Sequence, residues 1–179
     1  MHWDLNIQNL LVFFCKIINQ LTLYFLKKRF DYRHSTIYSK AFGRLFSKEL
    51  HKLNYDIVVI CGGTEYGAYL KTSKPIYYIL DRTIDGALNY HPVLSNLLRF
   101  SEQQSILTDK TAMLNSSKTF FSSEWAANHA KQFYILPSTK SSILPFGANL
   151  DKLPTRETAL QVKNTSVWNL LIIGTSWKN

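Results

Sequence analysis

The chain is poor in cysteine, glycine and proline: its 179 residues hold two, seven and five of them. Two cysteines cannot staple a small secreted scaffold, and Cys15 and Cys61 form no C-x-x-C pair and join no His/Cys cluster at ligand spacing. No metal site is expected. Each cysteine stands in or beside an apolar run, which predicts buried free thiols in a reducing compartment. The glycines and prolines are dispersed, so no low-complexity linker divides the chain, and no internal repeat is present. Acidic residues are scarce, 12 against 21 Lys and Arg. No long apolar run exists either. Leu10 to Leu26 is interrupted by Lys16, Asn19, Gln20 and Thr22 and falls short of the ~20 apolar residues that span a bilayer. The start, MHWDLN, lacks the basic region of a signal peptide, and no small-residue cleavage site follows. A cytoplasmic protein is expected, with peripheral attachment to a membrane surface kept open.

What is present suits a folded domain. Hydrophobic residues make up 46% and charged residues 18%, a balance that builds a core rather than a disordered chain. The length fits one domain, or one and a part. The formal charge of +9 favours an anionic partner: a phosphate-bearing ligand, a membrane surface or nucleic acid. Residues 1–60 alone hold nine Lys and Arg against four Asp and Glu, a net of +5.

Ile7, Leu10, Leu11, Phe14, Ile17, Ile18, Leu21, Tyr24 and Phe25 recur at helical spacing and predict an amphipathic helix of about five turns. It ends in Lys27-Lys28-Arg29, which suits the dipole at a helix C-terminus. Such a helix packs on the domain core with a solvated basic end, or it faces a membrane surface or an acceptor. The first reading is favoured, because only three basic residues sit together. Ser35 is placed to cap a second helix over 36–53, with Ile37, Ala41, Leu45, Phe46, Leu50 and Leu53 as its apolar stripe. Lys40, Arg44, Lys48 and Lys52 then form a solvated basic face. No RRM, KH or helix-turn-helix signature accompanies it, so nucleic acid is not the expected partner.

From residue 55 the pattern becomes that of an α/β fold with a parallel sheet flanked by helices. Residues 55–60, Tyr-Asp-Ile-Val-Val-Ile, read as a strand, Cys61-Gly62-Gly63-Thr64 as a turn, and Glu65 to Leu70 as a short helix. A Gly-Gly-Thr turn after a strand lets a phosphate or sugar approach backbone N–H groups, although the spacing is neither G-x-G-x-x-G nor that of a P-loop. Residues 76–80 form a second buried strand, ending at Asp81-Arg82-Thr83. An Asp there is either a site residue or the cap of the next element. His91 is read as a surface residue, and 92–115 as one helix with Val93, Leu97, Leu98, Ile106, Leu107, Ala112, Met113 and Leu114 as its apolar positions. A third strand spans 118–122. Ser122 or Ser123 caps a helix running to about Tyr134, with Glu124 in its first turn. A fourth strand, 140–144, ends in Pro145-Phe146-Gly147-Ala148-Asn149. By pattern alone Gly147 turns the chain and Trp125 packs on the sheet. A short helix is expected between Pro154 and Thr165, and a buried strand over 167–174.

The pieces, taken in order, resemble the retaining GT-B glycosyltransferases of the large family 4 (group 1) class. The resemblance rests on Ser123-Glu124-Trp125-Ala126 after a strand, on Pro145-Phe146-Gly147-Ala148-Asn149, and on Leu170-Leu171-Ile172-Ile173-Gly174 with Trp177. It also rests on the upstream strands beginning Tyr55-Asp56 and Lys74-Pro75, and it covers the chain from about Tyr55 onward. It implies an acceptor-side, Rossmann-like domain over 1–153 whose first strands are missing. Residues 154–179 would be the linker and first strand of a truncated donor-binding domain. The class's basic pair for the nucleotide diphosphate and its E-x7-E motif would lie beyond Asn179. Asp81 stands where many members carry a His at the reaction centre.

The implied chemistry is transfer of a sugar from a nucleotide-diphosphate donor, with retention, to a sugar, lipid-linked or protein acceptor. Asp81 is the candidate catalytic residue. Gly62, Gly63, Thr64, Arg82, Ser123, Glu124 and Trp125 are the candidate substrate-binding residues. No cofactor beyond the nucleotide-sugar donor is implied, and the donor would bind mainly through the missing domain. Such a piece is expected to be inactive alone. The competing readings are a non-catalytic domain that binds an acceptor or a membrane surface, and a different GT-B enzyme such as a nucleotide-sugar epimerase.

Overall fold

The structure is a computed structural model that describes residues 6–147, 152–153 and 155–159. The strand expected over 167–174 and the motif ending at Asn179 lie outside these residues. The chain divides into two compact units, Met1–Phe146 and Gly147–Asn179. In the second, the helix expected after Pro154 is present as Arg156–Ala159.

The first unit is built on four parallel strands in chain order: β1 (Val58–Cys61), β2 (Ile76–Leu80), β3 (Lys118–Phe121) and β4 (Ser141–Ile143). Ile60 pairs with Tyr78, Tyr78 with Thr119, and Phe121 with Ile143. The connections carry α3 (Thr64–Gly67), α4 (Ile84–Ala87), α5 (Arg99–Asn115) and α6 (Glu124–Phe133). Successive right-handed crossovers that all step the same way along a sheet leave their helices on one face. The core follows that rule. Ile76, Tyr78, Leu80 and Phe121 pack with Ala68, Ala112, Met113, Ala126, Ala127 and Ala130 in a single cluster.

The alternate strand positions point the other way. Ile57, just before β1, and Val59 within it are 52% and 49% exposed. Cys61 lies in the same alternation and is exposed, which corrects the expectation of two buried thiols; Cys15 is partly buried. The two-residue period decides this: an apolar run gives every second side chain to the open face.

Helix α1 spans Asn6–Leu26 and α2 spans Thr36–Leu50, ending three residues before its expected limit. Ser35 caps α2 as expected, its side chain accepting from Tyr38 N. The buried face of α2 is not the predicted apolar stripe. Tyr38, Ser39, Gly43 and Ser47 are buried, and Ile37 is exposed. Small residues at a spacing of four let the backbone of the following segment approach closely. Ser39 Oγ donates to Glu65 O, and Lys71 N donates to Ser47 Oγ at 2.8 Å. A Cβ at Gly43 would sit 2.6 Å from the carbonyl oxygen of Tyr69. Backbone cannot step aside as a side chain can, so Gly43→Ala is expected to destabilise the fold by about 1–3 kcal/mol, read from urea unfolding.

The single helix expected over 92–115 is broken. A 3-10 turn spans Pro92–Leu94, and α5 begins only at Arg99. The intervening stretch pairs with the segment after α1, Arg29 bridging Leu97. The buried face of α5 is Ser101, Ser105, Thr108, Asp109, Ala112 and Met113, while Leu107 and Leu114 are exposed. No described helix is long and apolar enough to cross a membrane.

Candidate functional site at the C-terminal rim of the sheet

Parallel α/β sheets bind ligands at the C-terminal ends of their strands, and here that rim carries most of the residues singled out from the sequence. After β1 the chain turns through Gly62 and Gly63, whose φ values of 68° and 57° lie in the left-handed region that glycine adopts without a Cβ penalty. Gly62 N donates to Ile79 O at 3.0 Å, so that amide is spent on the sheet. Around its Cα, though, a Cβ would meet nothing within 4 Å. What Gly62 offers is space for close approach.

After β2 comes Asp81-Arg82-Thr83. The cap of α4 is Thr83, whose Oγ1 accepts from Gly86 N at 3.1 Å. Asp81 is therefore free of the capping role and stands exposed, within 3.3 Å of the Arg82 guanidinium. Gly62, Gly63, Thr64, Asp81 and Arg82 line one cavity of about 160 Å³, whose walls also include His34, Glu65 and Asp109.

The floor of that cavity is a polar network. Asp109, fully buried on α5, accepts from Thr64 Oγ1 at 2.7 Å, from Ile84 N at 2.8 Å and from Tyr134 OH at 2.8 Å. Tyr134 OH in turn accepts from Asp85 N at 3.1 Å. One carboxylate thus ties the turn after β1, the turn after β2 and the end of α6 together. Burial pushes the Asp109 carboxyl up, and the bonds from Ile84, Thr64 and Tyr134 pull against that shift. Burial also raises the Tyr134 phenol. The Thr64 hydroxyl donates to Asp109, so toward a ligand the only donor Thr64 can offer is its backbone N–H.

Beside Asp109 sits a second, partly buried group. His34 Nδ1 lies 2.7 Å from Asp31 Oδ2, and His34 Nε2 lies 3.8 Å from Glu65 Oε2. Burial alone would lower the His34 imidazole, but the bond and charge of Asp31, with the charge of Glu65, outweigh it and raise the group. For Asp31 burial works upward, and His34 together with the Ser105 hydroxyl holds the carboxyl below its ordinary value. Glu65 is raised, chiefly by burial. Among the described residues no group of three or more His, Cys, Asp or Glu side chains is arranged to hold a metal ion.

Ser123, Glu124 and Trp125 occupy the same rim after β3 but are not among the residues lining this cavity. Ser123 caps α6, its Oγ accepting from Ala126 N at 3.3 Å. Glu124 is exposed. Trp125 does not pack on the sheet: it is 57% exposed, and its ring lies beside Gly86 and 5.8 Å from that of His129. Thr83 Oγ1 bonds His129 Nδ1 at 2.8 Å, and His129 Nε2 lies 3.5 Å from Asp85 Oδ2. This hydroxyl–imidazole–carboxylate order looks like a nucleophile relay. Thr83 has no accessible surface, however, and its oxygen already holds the cap of α4, so the arrangement fixes the Asp81 turn.

Sequence reasoning missed Asp109, His34 and Glu65. The available signal was the run of Ser101, Ser105, Thr108 and Ala112 at helical spacing, which marks the inner face of α5. No family model, curated protein or solved structure matches this chain.

Proposed function

We propose that this chain is the acceptor-side lobe of a retaining glycosyltransferase that uses a nucleotide-diphosphate sugar. The reaction breaks the bond between the anomeric carbon and the diphosphate oxygen and forms one from that carbon to an acceptor hydroxyl. The departing diphosphate oxygen carries away the electron pair and takes up the acceptor's proton. In this reading the cavity between the Gly62-Gly63 turn and Asp81 is the acceptor wall. Asp81 accepts a hydrogen bond from a hydroxyl of the reacting sugar or acceptor, and Arg82 lies toward the developing negative charge. Ser123, Glu124 and Trp125 extend the wall along the rim. A second Rossmann-like domain supplies the main contacts to the nucleotide. The protein works in the cytoplasm.

The observation that carries the reading is Asp81 itself: exposed, released from capping by Thr83, and facing a side-chain-free turn across one cavity. Ligand-observed NMR of the 179-residue chain against a panel of mono- and oligosaccharides tests it. Saccharide binding is expected, weakened about tenfold in Asp81→Ala, the loss of one charge-assisted hydrogen bond. Transfer from nucleotide sugars by this chain alone is not expected. Equal binding by Asp81→Ala overturns the proposal, and robust turnover by these residues overturns the part of it that assigns the nucleotide to a second domain. The competing reading is a non-catalytic domain that binds an acceptor or a membrane surface, and the outward face of α1 favours its second half.

A further inference from the structure

We infer that α1 is a docking helix for an anionic lipid surface, lying in the plane of the interface with its apolar arc immersed. The inference stands apart from the sugar-transfer reading and rests on different residues. Among residues 12–26 of α1, Val12, Cys15, Asn19 and Thr22 are the partly covered positions, and they recur at helical spacing on one side. On that side Asn19 Oδ1 accepts from Phe30 N at 2.8 Å. The other side, an arc of about 140° at 3.6 residues per turn, presents Phe13, Phe14, Ile17, Ile18, Leu21 and Phe25, which are 40–71% exposed. The helix is amphipathic, but its apolar face is the outer one. This overturns the expectation of a helix packed on the core.

The end of α1 is held firmly. Asn96 Nδ2 donates to Lys27 O at 2.8 Å, Arg29 N to Asn96 O at 2.9 Å and Leu98 N to Arg29 O at 2.9 Å. A fixed helix with its apolar arc outward is preorganised for a flat apolar target.

Charge selects which target. α1 contains no Asp or Glu, and Lys16 is exposed on its flank. Lys27 and Lys28, directly after it, are exposed, and neither lies within ion-pair distance of a carboxylate among the described residues. Lys27 instead lies 5.7 Å from the ring centre of Tyr24, itself exposed. Apolar side chains flanked by lysines and an aromatic suit the headgroup–acyl boundary of a bilayer bearing negative lipids. A second copy of α1 would cover the apolar arc but would supply no acidic partner for those lysines.

Co-sedimentation of the 179-residue chain with vesicles tests this, using phosphatidylcholine alone or mixed with phosphatidylglycerol, at low and high salt. Binding to the mixed vesicles at low salt is expected. Lys27→Glu/Lys28→Glu should weaken it about tenfold or more, as should high salt, and Ile18→Asp/Phe25→Asp should abolish it with the far-UV circular dichroism kept. The charge variant leaves the apolar arc intact, so it reports even where the apolar variant fails to fold. Three results overturn the inference: no binding to either vesicle, binding indifferent to the charge variant and to salt, or a self-associated chain that Ile18→Asp/Phe25→Asp makes monomeric while vesicles never bind it.

Discussion

Replacing Asp109 by alanine is expected to cost about 3–5 kcal/mol of folding stability, the range for removing one partner from a buried charged network. Three donors converge on one carboxylate that is 2% exposed. In the alanine variant the Ile84 amide and the Tyr134 hydroxyl lose their acceptor inside the protein, each at roughly 1–3 kcal/mol. Thr64 loses its partner too, and the cavity that remains adds to the loss. Asp109→Asn keeps the size and one acceptor oxygen, and its amide can donate to a Thr64 hydroxyl that turns round. That variant should lose only about 1–2 kcal/mol. Urea unfolding of the three proteins checks the order, and an alanine variant within about 1 kcal/mol of the parent would show that the network holds nothing. A second consequence concerns the rim. Asp109 is the common anchor of the Gly62–Thr64 turn and of Ile84, so its loss should also weaken any ligand that Asp81 binds.

The sign of the Asp109 titration is opposite to that of an ordinary paired carboxylate. Its folded value is raised by burial. Its contribution is therefore fully present below the ordinary carboxylate range and declines as pH rises through the raised value. The network is kept because three donors converge on it and because it joins three segments, not because burying a charge is favourable in itself.

The strands and caps were legible in the sequence because local rules decide them. The β-branched and aromatic run at 76–80 is β2 to the residue, and Ser35 and Ser123 cap the helices they precede. Gly62, Gly63, Asp81 and Arg82 were legible for the same reason, since any strand end in a parallel sheet points at the rim. The faces of the helices were not. In α2 and α5 the inward positions include Ser39, Gly43, Ser47, Ser101, Ser105 and Thr108, small enough for close backbone approach, and the four serines among them bond partners far away in sequence. The bond from Thr64 to Asp109 spans 45 residues and that from Ser105 to Asp31 spans 74, which no window of sequence contains. Helix α1 shows the complementary limit. Its periodicity was plain, but periodicity gives the width of an apolar face and not what lies against it.

Raising the pH through and above neutrality is expected to lower the unfolding temperature, and His34→Ala should remove the part of that fall that His34 carries, leaving the part due to the raised Asp109 and Glu65. His34 is raised above its usual value of 6.5, burial opposing and the Asp31 bond and charge prevailing. A raised basic group stabilises the fold fully below its unfolded value, and that stabilisation is lost as pH rises through the folded value. Asp31 works from the other side. Burial pushes its carboxyl up, the bonds and charge of His34 hold it down, and its contribution disappears as pH falls through the lowered value. Glu65, raised by burial, tilts against Asp31 on the acid side but not against His34 on the alkaline side. The pair is therefore strongest between the carboxylate range and the raised imidazole. There His34→Ala should cost about 2–3 kcal/mol, because it leaves the Asp31 carboxylate part-buried without its cation. Above the raised imidazole value the parent has already lost the charge, and the two proteins should approach one another. Thermal unfolding of both across that range decides the matter: parallel curves would mean that His34 binds its proton equally well in the folded and unfolded chain, and that its pairing with Asp31 contributes nothing.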